Sequence, residues 1–300
     1  MSKPQFVIRG ILPALMTPFK DGGVDEKMLK KLVRFQLDQG CHGFFVNGST
    51  GDGFLMTREE RRRVVEVVVS EVAGQAKVIA HVGAVSSDEA AAMAVDARKA
   101  GADAVASVPP IYYPVELEGF ELHMRTIGVA ADMPTYCYYI PALTGHALGG
   151  DQFVEVTQRI PNLVGFKYTH SDMFLLWWIL DALGDRISVF NGSDQMLLQG
   201  LITGACGGIG STYNYQTRTI VDIYEAMQAG DLDKAREAQW RANQVVQVLF
   251  RFKAGGVATE RAILKLMGYD VGAPRPPKVP FPDDELPALR KALEGVGFLQ

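Results

Sequence analysis

Two hydrophobic periods alternate along this chain, and that alternation restricts its fold more than any other feature. Short apolar runs, rich in β-branched and aromatic residues, end in Gly, Ser, Pro or Asn. Longer stretches of helical period separate them. Eight such runs follow one another: "VIRGILPALMT", "GFFVN", "KVIAHV", "ADAVASV", "PTYCYYI", "LVGFK", "ISVFNG" and "ACGGIGS". The intervening segments, such as "DEKMLKKLVRFQLDQG" and "SSDEAAAMAVDARKAG", open on Ser or acidic residues and stop at Gly, as helix termini prefer. The strand-to-strand spacing, roughly 20–35 residues, suits βα units. Eight units predict an α/β fold, a (β/α)8 TIM barrel with helices outside. A doubly wound open sheet is the alternative. Its first βα turn would carry a dinucleotide fingerprint, and "TPFKDGGVDEK" carries none. The later "GACGGIGS" lacks an acidic ribose partner.

The barrel is expected to close near Ser211, the barrel unit spanning 1–228. Residues 229–300 read as a C-terminal helical extension packed on it as part of a single structural unit. A helix break is expected at Gly230, and the Pro-rich stretch Gly272 to Pro282 joins the last segments. With 300 residues, 48% of them hydrophobic, the chain can fill one such core.

Charge excludes some partners. Thirty basic residues against 34 acidic ones leave a net of −4, with no footprint for nucleic acid. The run Arg61-Arg62-Arg63 reads as the solvated face of a helix. Cys41, Cys137 and Cys206 are odd in number and lack metal-ligand spacing, so they read as small buried hydrophobes in a reducing compartment. The five histidines show no metal spacing either, and read as structural or exposed. The opening "MSKPQFVIRG" has no signal-peptide h-region, and no apolar run reaches about 18 residues. The expectation is a cytoplasmic protein with no membrane partner, no metal and no added cofactor. Trp177 and Trp178 read as core or subunit contacts.

In a barrel of this kind the active site lies at the C-terminal ends of the strands. Lys167 ends the run "NLVGFK" there. Burial disfavours its charged form, and a neutral amine can attack a ketone to form an iminium. The alternative is a snorkelling lysine with its head in water. "NGSTGDG", Asn47 to Gly53, offers backbone N–H groups and hydroxyls to a carboxylate or phosphate; otherwise it is an ordinary loop in which Gly51 takes positive φ. Tyr138 in "TYCYYIP" can relay protons or fill the barrel core. Period two puts Tyr136 and Tyr138 on one face and Tyr139 on the other. "GGIGSTYN", Gly207 to Asn214, is small enough for a ligand to approach the backbone at Gly210, or for tight helix packing. Asp172 and Asp194 follow strand ends and suit either substrate hydroxyls or helix N-caps.

Together "GILPALMTPF", "NGSTGDG", "VPPIYYP", "YYIPALTG", "GFKYT", "NGSDQ" and "GGIGSTYN" resemble, in order and spacing over nearly the whole chain, the dihydrodipicolinate synthase / N-acetylneuraminate lyase family. The resemblance implies that Lys167 forms a Schiff base with a pyruvate-like keto acid and that Tyr138 shuttles protons. It implies that Ser49, Thr50 and the adjoining Gly51 grip the keto-acid carboxylate. Tyr112 would reach a neighbouring subunit's site and complete a proton relay, in a homotetramer.

The branch is read from departures. Leu143 stands where dihydrodipicolinate synthases carry a carboxylate-binding arginine, and a leucine cannot pair with a carboxylate. "YYIPALTG" and "GGIGSTYN" are similar to the N-acetylneuraminate lyases, in which residues matching Thr169, Gly192, Asp194 and Ser211 bind a polyhydroxylated chain. Gln195 stands where those lyases carry an acid, and Tyr139 where asparagine or histidine is usual. The resemblance therefore implies a lyase cleaving a 2-keto-3-deoxy sugar acid, such as N-acetylneuraminate, to pyruvate and an aldehyde. A sugar-acid aldolase or dehydratase is the nearest alternative, then dihydrodipicolinate synthase, and a non-catalytic keto-acid sensor is the alternative of another class.

Overall fold

All eight predicted runs form strands. In the computed structural model, which describes residues 8–299, they are β1 (Gly10–Pro13), β2 (Gly43–Val46), β3 (Lys77–His81), β4 (Ala104–Ser107), β5 (Thr135–Tyr139), β6 (Leu163–Tyr168), β7 (Ser188–Asn191) and β8 (Gly207–Gly210). Val7, which opens the first predicted run, lies outside the described residues. Neighbours pair in parallel in chain order, with β8 returning to β1. A parallel bridge from Ala14 to Phe45 closes the ring between β1 and β2. Beside it the Leu15 N–H donates to the Phe45 carbonyl at 2.9 Å.

Eight helices alternate with the strands: α1 (Glu26–Asp38), α2 (Arg58–Val72), α3 (Ser87–Lys99), α4 (Leu117–Ala131), α5 (Gly150–Arg159), α6 (Met173–Leu183), α7 (Leu197–Thr203) and α8 (Tyr213–Gln228). Capping fixes several starts. Asp25 accepts the Met28 N–H at 3.0 Å, and Thr57 and Glu60 form a reciprocal capping box. Three helices follow, α9 (Leu232–Leu249), α10 (Gly256–Leu266) and α11 (Leu286–Gly295). Gly230, at φ +74°, makes the break between α8 and α9. Val248, Ile263 and Leu289, one from each of the three, share a core with α1 and α2.

Strand alternation divides the side chains as the pleat requires. Phe45, Ile79, Tyr136, Tyr138 and Phe190 fill the barrel, whereas Cys137, Tyr139, Phe166 and Tyr168 pack outward under helices. The three cysteines are free and buried, and burial raises the pKa of each thiol. Among the described residues no helix is long and apolar enough to cross a membrane.

One local expectation changes, one narrows, and two short elements are added. Arg62 and Arg63 pair with glutamates at the surface, but Arg61 turns inward and donates to the carbonyls of Gly83 at 2.9 Å and His81 at 2.7 Å. Successive helical residues point about 100° apart, so one charged run need not share one face. Burial lowers the Arg61 pKa to about 10. Trp177 and Trp178 are exposed on α6 beside Phe174, outside the core, which leaves the subunit-contact reading of them. A small hairpin, Phe19–Lys20 with Gly23–Val24, occupies the first βα turn, and a single helical turn, Pro141–Thr144, follows β5.

Candidate active site

Parallel pairing sets Tyr138 on β5 directly opposite Lys167 on β6, and Lys167 opposite Phe190 on β7. All three side chains therefore enter the barrel at one level. Lys167 is only 5% exposed, so its head does not snorkel into water. Its Nζ stands 4.1 Å from the Tyr138 ring centre and 4.7 Å from that of Phe45. Among the described residues neither the Lys167 amine nor the Tyr138 hydroxyl has a hydrogen-bond partner. Both are thus unengaged, as a nucleophile and a proton carrier require before substrate arrives.

His81, unmarked in the sequence, packs beside them, its ring centre 6.1 Å from that of Tyr138. Burial foremost, then the charges of Arg61 and Lys167, push its pKa well down and hold it neutral.

The loop after β2 curls on itself. The N–H groups of Gly51 and Gly53 both donate to the Gly48 carbonyl at 3.1 Å. Gly51 does not take positive φ; Asn47 and Asp52 do, at +61° and +56°. Gly51 is required by proximity, because a Cβ there would lie 2.7 Å from the Leu15 carbonyl oxygen. Among the described residues the hydroxyls of Ser49 and Thr50 have no partner. The loop is tied from beneath by the C-terminal segments. The fully buried Asp52 carboxylate accepts from Arg261 Nη2 at 3.1 Å, from the Arg275 N–H at 3.2 Å and from Lys278 Nζ. Lys278 also donates to the Ser49 carbonyl at 3.1 Å.

Thr169, Gly192, Asp194, Gln195 and Ser211, separated in sequence, line one cavity of about 340 Å³. Asp194 caps no long helix. Its carboxylate accepts the Thr212 N–H at 2.7 Å, and burial raises its pKa against that bond and the charge of Lys167. Gly210 lies behind it, where a Cβ would fall 2.0 Å from Asp194 Oδ1. Gln195 is exposed. Asn214 anchors this wall by donating to the carbonyls of Ala14 and Ser211 at 2.8 Å. The same cavity is also lined by residues the sequence reading did not single out, Phe252 and Glu260 among them. Ser211 Oγ donates to Glu260 Oε1 at 2.7 Å. Burial raises the Glu260 pKa to about 7, against the Ser211 bond. No local signal marked Glu260, because in "VATERAILKLMG" it stands beside Arg261 and near Lys265.

Three positions lie apart. Tyr112 is 86% exposed, at φ +75°, with its ring edge-on to that of Tyr113. Tyr139 points out of the barrel, where its hydroxyl accepts the Leu148 N–H at 3.2 Å and its ring stacks on Tyr168. Its departure from the usual residue therefore does not alter the cavity. Asp172 is the N-cap of α6, accepting the Leu175 N–H at 2.9 Å.

Comparison with known proteins decides the lineage. The profile of the dihydrodipicolinate synthetase family matches residues 7–296. The chain belongs to that family. It is 38% identical to N-acetylneuraminate lyase of Citrobacter koseri over 94% of this chain and 95% of that one. The Salmonella typhimurium N-acetylneuraminate lyase matches equally, at 38% over the same shares. Among solved structures, Clostridium difficile CdNal in complex with mannosamine superposes with a TM-score of 0.91 at 29% identity, covering 97% of this chain and 100% of the other. Dihydrodipicolinate synthase from Aquifex aeolicus gives 0.90 at 29%, over 97% and 99%. Within the family the site is that of a pyruvate-dependent class I aldolase, a carbon–carbon lyase.

Proposed function

We propose that this family member cleaves a 2-keto-3-deoxy sugar acid of the N-acetylneuraminate type to pyruvate and an aldehyde, through a Schiff base on Lys167. The observation that carries the reading is the buried, unengaged Lys167 amine in register with Tyr138, with the Ser49–Thr50 loop at the same end of the barrel. The Ser49 and Thr50 hydroxyls receive the keto-acid carboxylate, and Gly51, whose N–H is taken up by the Gly48 carbonyl, lets the loop sit against Leu15. The Lys167 amine adds to the C2 carbonyl and water leaves, giving the iminium. Tyr138 accepts the C4 hydroxyl proton as it passes its own into the hydroxyl relay that later returns one to C3; the C3–C4 bond breaks, and its electron pair flows into the iminium. The aldehyde departs. Protonation of the enamine at C3 and hydrolysis release pyruvate and restore the amine. Asp194, Thr169 and Ser211, with the backbone at Gly192 and Gln195, hold the sugar tail, and Gly210 makes room behind Asp194.

The exposure of Tyr112, together with the apolar Phe174–Trp177–Trp178 surface, supports assembly as a homotetramer in which Tyr112 serves a neighbour's site. Three unpaired cysteines accord with a cytoplasmic setting. The uncharged Gln195 favours, as the second reading, cleavage or dehydration of another sugar acid of this class. Leu143 is 68% exposed and supplies no cation for a dihydrodipicolinate synthase reaction.

Incubation with pyruvate and sodium borohydride, read by mass spectrometry, tests the nucleophile. A pyruvate-sized adduct is expected on the wild type and not on Lys167→Ala. Pyruvate release from N-acetylneuraminate and from other 2-keto-3-deoxy sugar acids then ranks the substrates. Folded wild type without an adduct would overturn the reading and leave a keto-acid sensor.

A further inference from the structure

Glu260 is 2% exposed, on the buried face of α10. A buried carboxyl is costly unless its oxygens are satisfied. One oxygen accepts from Ser211 Oγ at 2.7 Å; the other has no partner among the described residues. Nearby cations do not supply one. Arg261 donates to Asp52 and to the carbonyls of Thr17 and Val271. Lys278 donates to Asp52 and the Ser49 carbonyl. An acid kept inside the protein with spare acceptor capacity marks a site that something else completes.

Its surroundings say what that is. Glu260 borders the same cavity as Asp194, Thr169 and Ser211. Thr169 Oγ1 is likewise buried without a partner. Two carboxyls and two hydroxyls around one cavity suit a chain of neutral hydroxyl groups, each able to donate and accept. They repel a tail ending in carboxylate or phosphate. When Ser211 donates to Glu260, its lone pairs are left to accept a hydroxyl proton from the ligand.

We propose that Glu260 is a specificity-determining residue, which with Ser211 reads hydroxyl groups of the substrate beyond C4 and restricts the tail to neutral polyols. The inference rests on the lyase reading above and extends it. Glu260 stands in a C-terminal helix, away from the strand-end motifs, and supplies the carboxylate that Gln195 does not.

The test compares kcat/KM for pyruvate release from three acids on wild type, Glu260→Gln and Glu260→Leu. N-acetylneuraminate and 2-keto-3-deoxygluconate carry hydroxyls beyond C4; 4-hydroxy-2-oxobutanoate carries none. Losing a hydrogen bond to a charged group is expected to lower the long-tail values about 10- to 100-fold, chiefly through KM, and the short-tail value much less. A merely structural Glu260 would lower all three alike, along with the melting temperature. Equal losses, or an unchanged ratio of long to short, would overturn the inference while the lyase reading stood on the wild-type rates and the borohydride adduct. A wild type cleaving none of the three would overturn both. Glu260→Leu guards against a glutamine that still mimics the carboxylate.

Discussion

Asp52→Asn tests how far the C-terminal segments hold the Asn47 to Gly53 loop. The Asp52 side chain is fully buried, and so in effect is Arg261, at 3% exposure. The amide keeps the shape and tolerates the left-handed backbone at φ +56°. It removes the charge that compensates Arg261. Breaking a buried pair from one side costs about 3–5 kcal/mol. The lower end applies here. Arg261 keeps the carbonyls of Thr17 and Val271 at 2.9 Å, and the neighbouring Glu260 carboxyl offsets part of its charge. The pair with the half-open Lys278 adds less than about 1 kcal/mol. A loss near 3 kcal/mol lowers the melting temperature of a chain this size by about 6 °C, at about 2 °C per kcal/mol. Scanning fluorimetry at fixed protein concentration measures it, because assembly would make melting concentration-dependent. Asp283→Asn is the control, since its partner Lys265 lies at the surface. Asp52→Asn should also raise KM for the keto acid, through Ser49 and Thr50. Melting within 1 °C of wild type, or a shift no larger than that of the control, would refute the argument.

Tyr138→Phe keeps the ring beside Lys167 but removes the proton carrier; kcat for cleavage should fall about 10²- to 10⁴-fold while the borohydride adduct still forms, and an unaltered kcat would remove Tyr138 from the relay. Gly210→Ala would place a Cβ 2.0 Å from Asp194 Oδ1; displacing that buried carboxylate should cost about 1–3 kcal/mol and raise KM for the sugar acid, both readable by melting and steady-state kinetics. Glu260 has a raised pKa in the folded chain, so folding binds a proton between pH 4.5 and about 7. Its contribution to stability is full below that window and is lost as pH rises through it; Glu260→Gln should flatten this slope in melts taken at about pH 5 and about pH 8, and an identical slope would contradict the assignment.

The barrel was legible because each strand must bury one face among its neighbours and the other under helices, which leaves runs too short and apolar for anything else. Tyr138 and Lys167 were legible because both end such runs, and parallel register then brings them level. The Asn47 to Gly53 loop was legible as a loop, but its anchor was not. Asp52 meets Arg261 and Lys278 across more than 200 residues, and nothing local marks that pairing. Tyr139 misled for a local reason: one step along a strand reverses the face, so a departure beside the site can lie wholly outside it.

Glu260 and Arg261 were hidden by a different geometry. As neighbours in "VATERAILKLMG" they resemble the charged side of an amphipathic helix, yet both are buried. Successive helical residues diverge by about 100°. From one turn of α10, Arg261 therefore reaches Asp52 beneath the Asn47 to Gly53 loop while Glu260 reaches Ser211 in the cavity beside Asp194. Under the proposed function the helix would brace both ends of the substrate site at once. Displacement of α10 would loosen carboxylate binding and tail recognition together, whereas substitution of either side chain alone should separate them: Arg261 variants acting on KM for any keto acid, Glu260 variants only on those with hydroxylated tails.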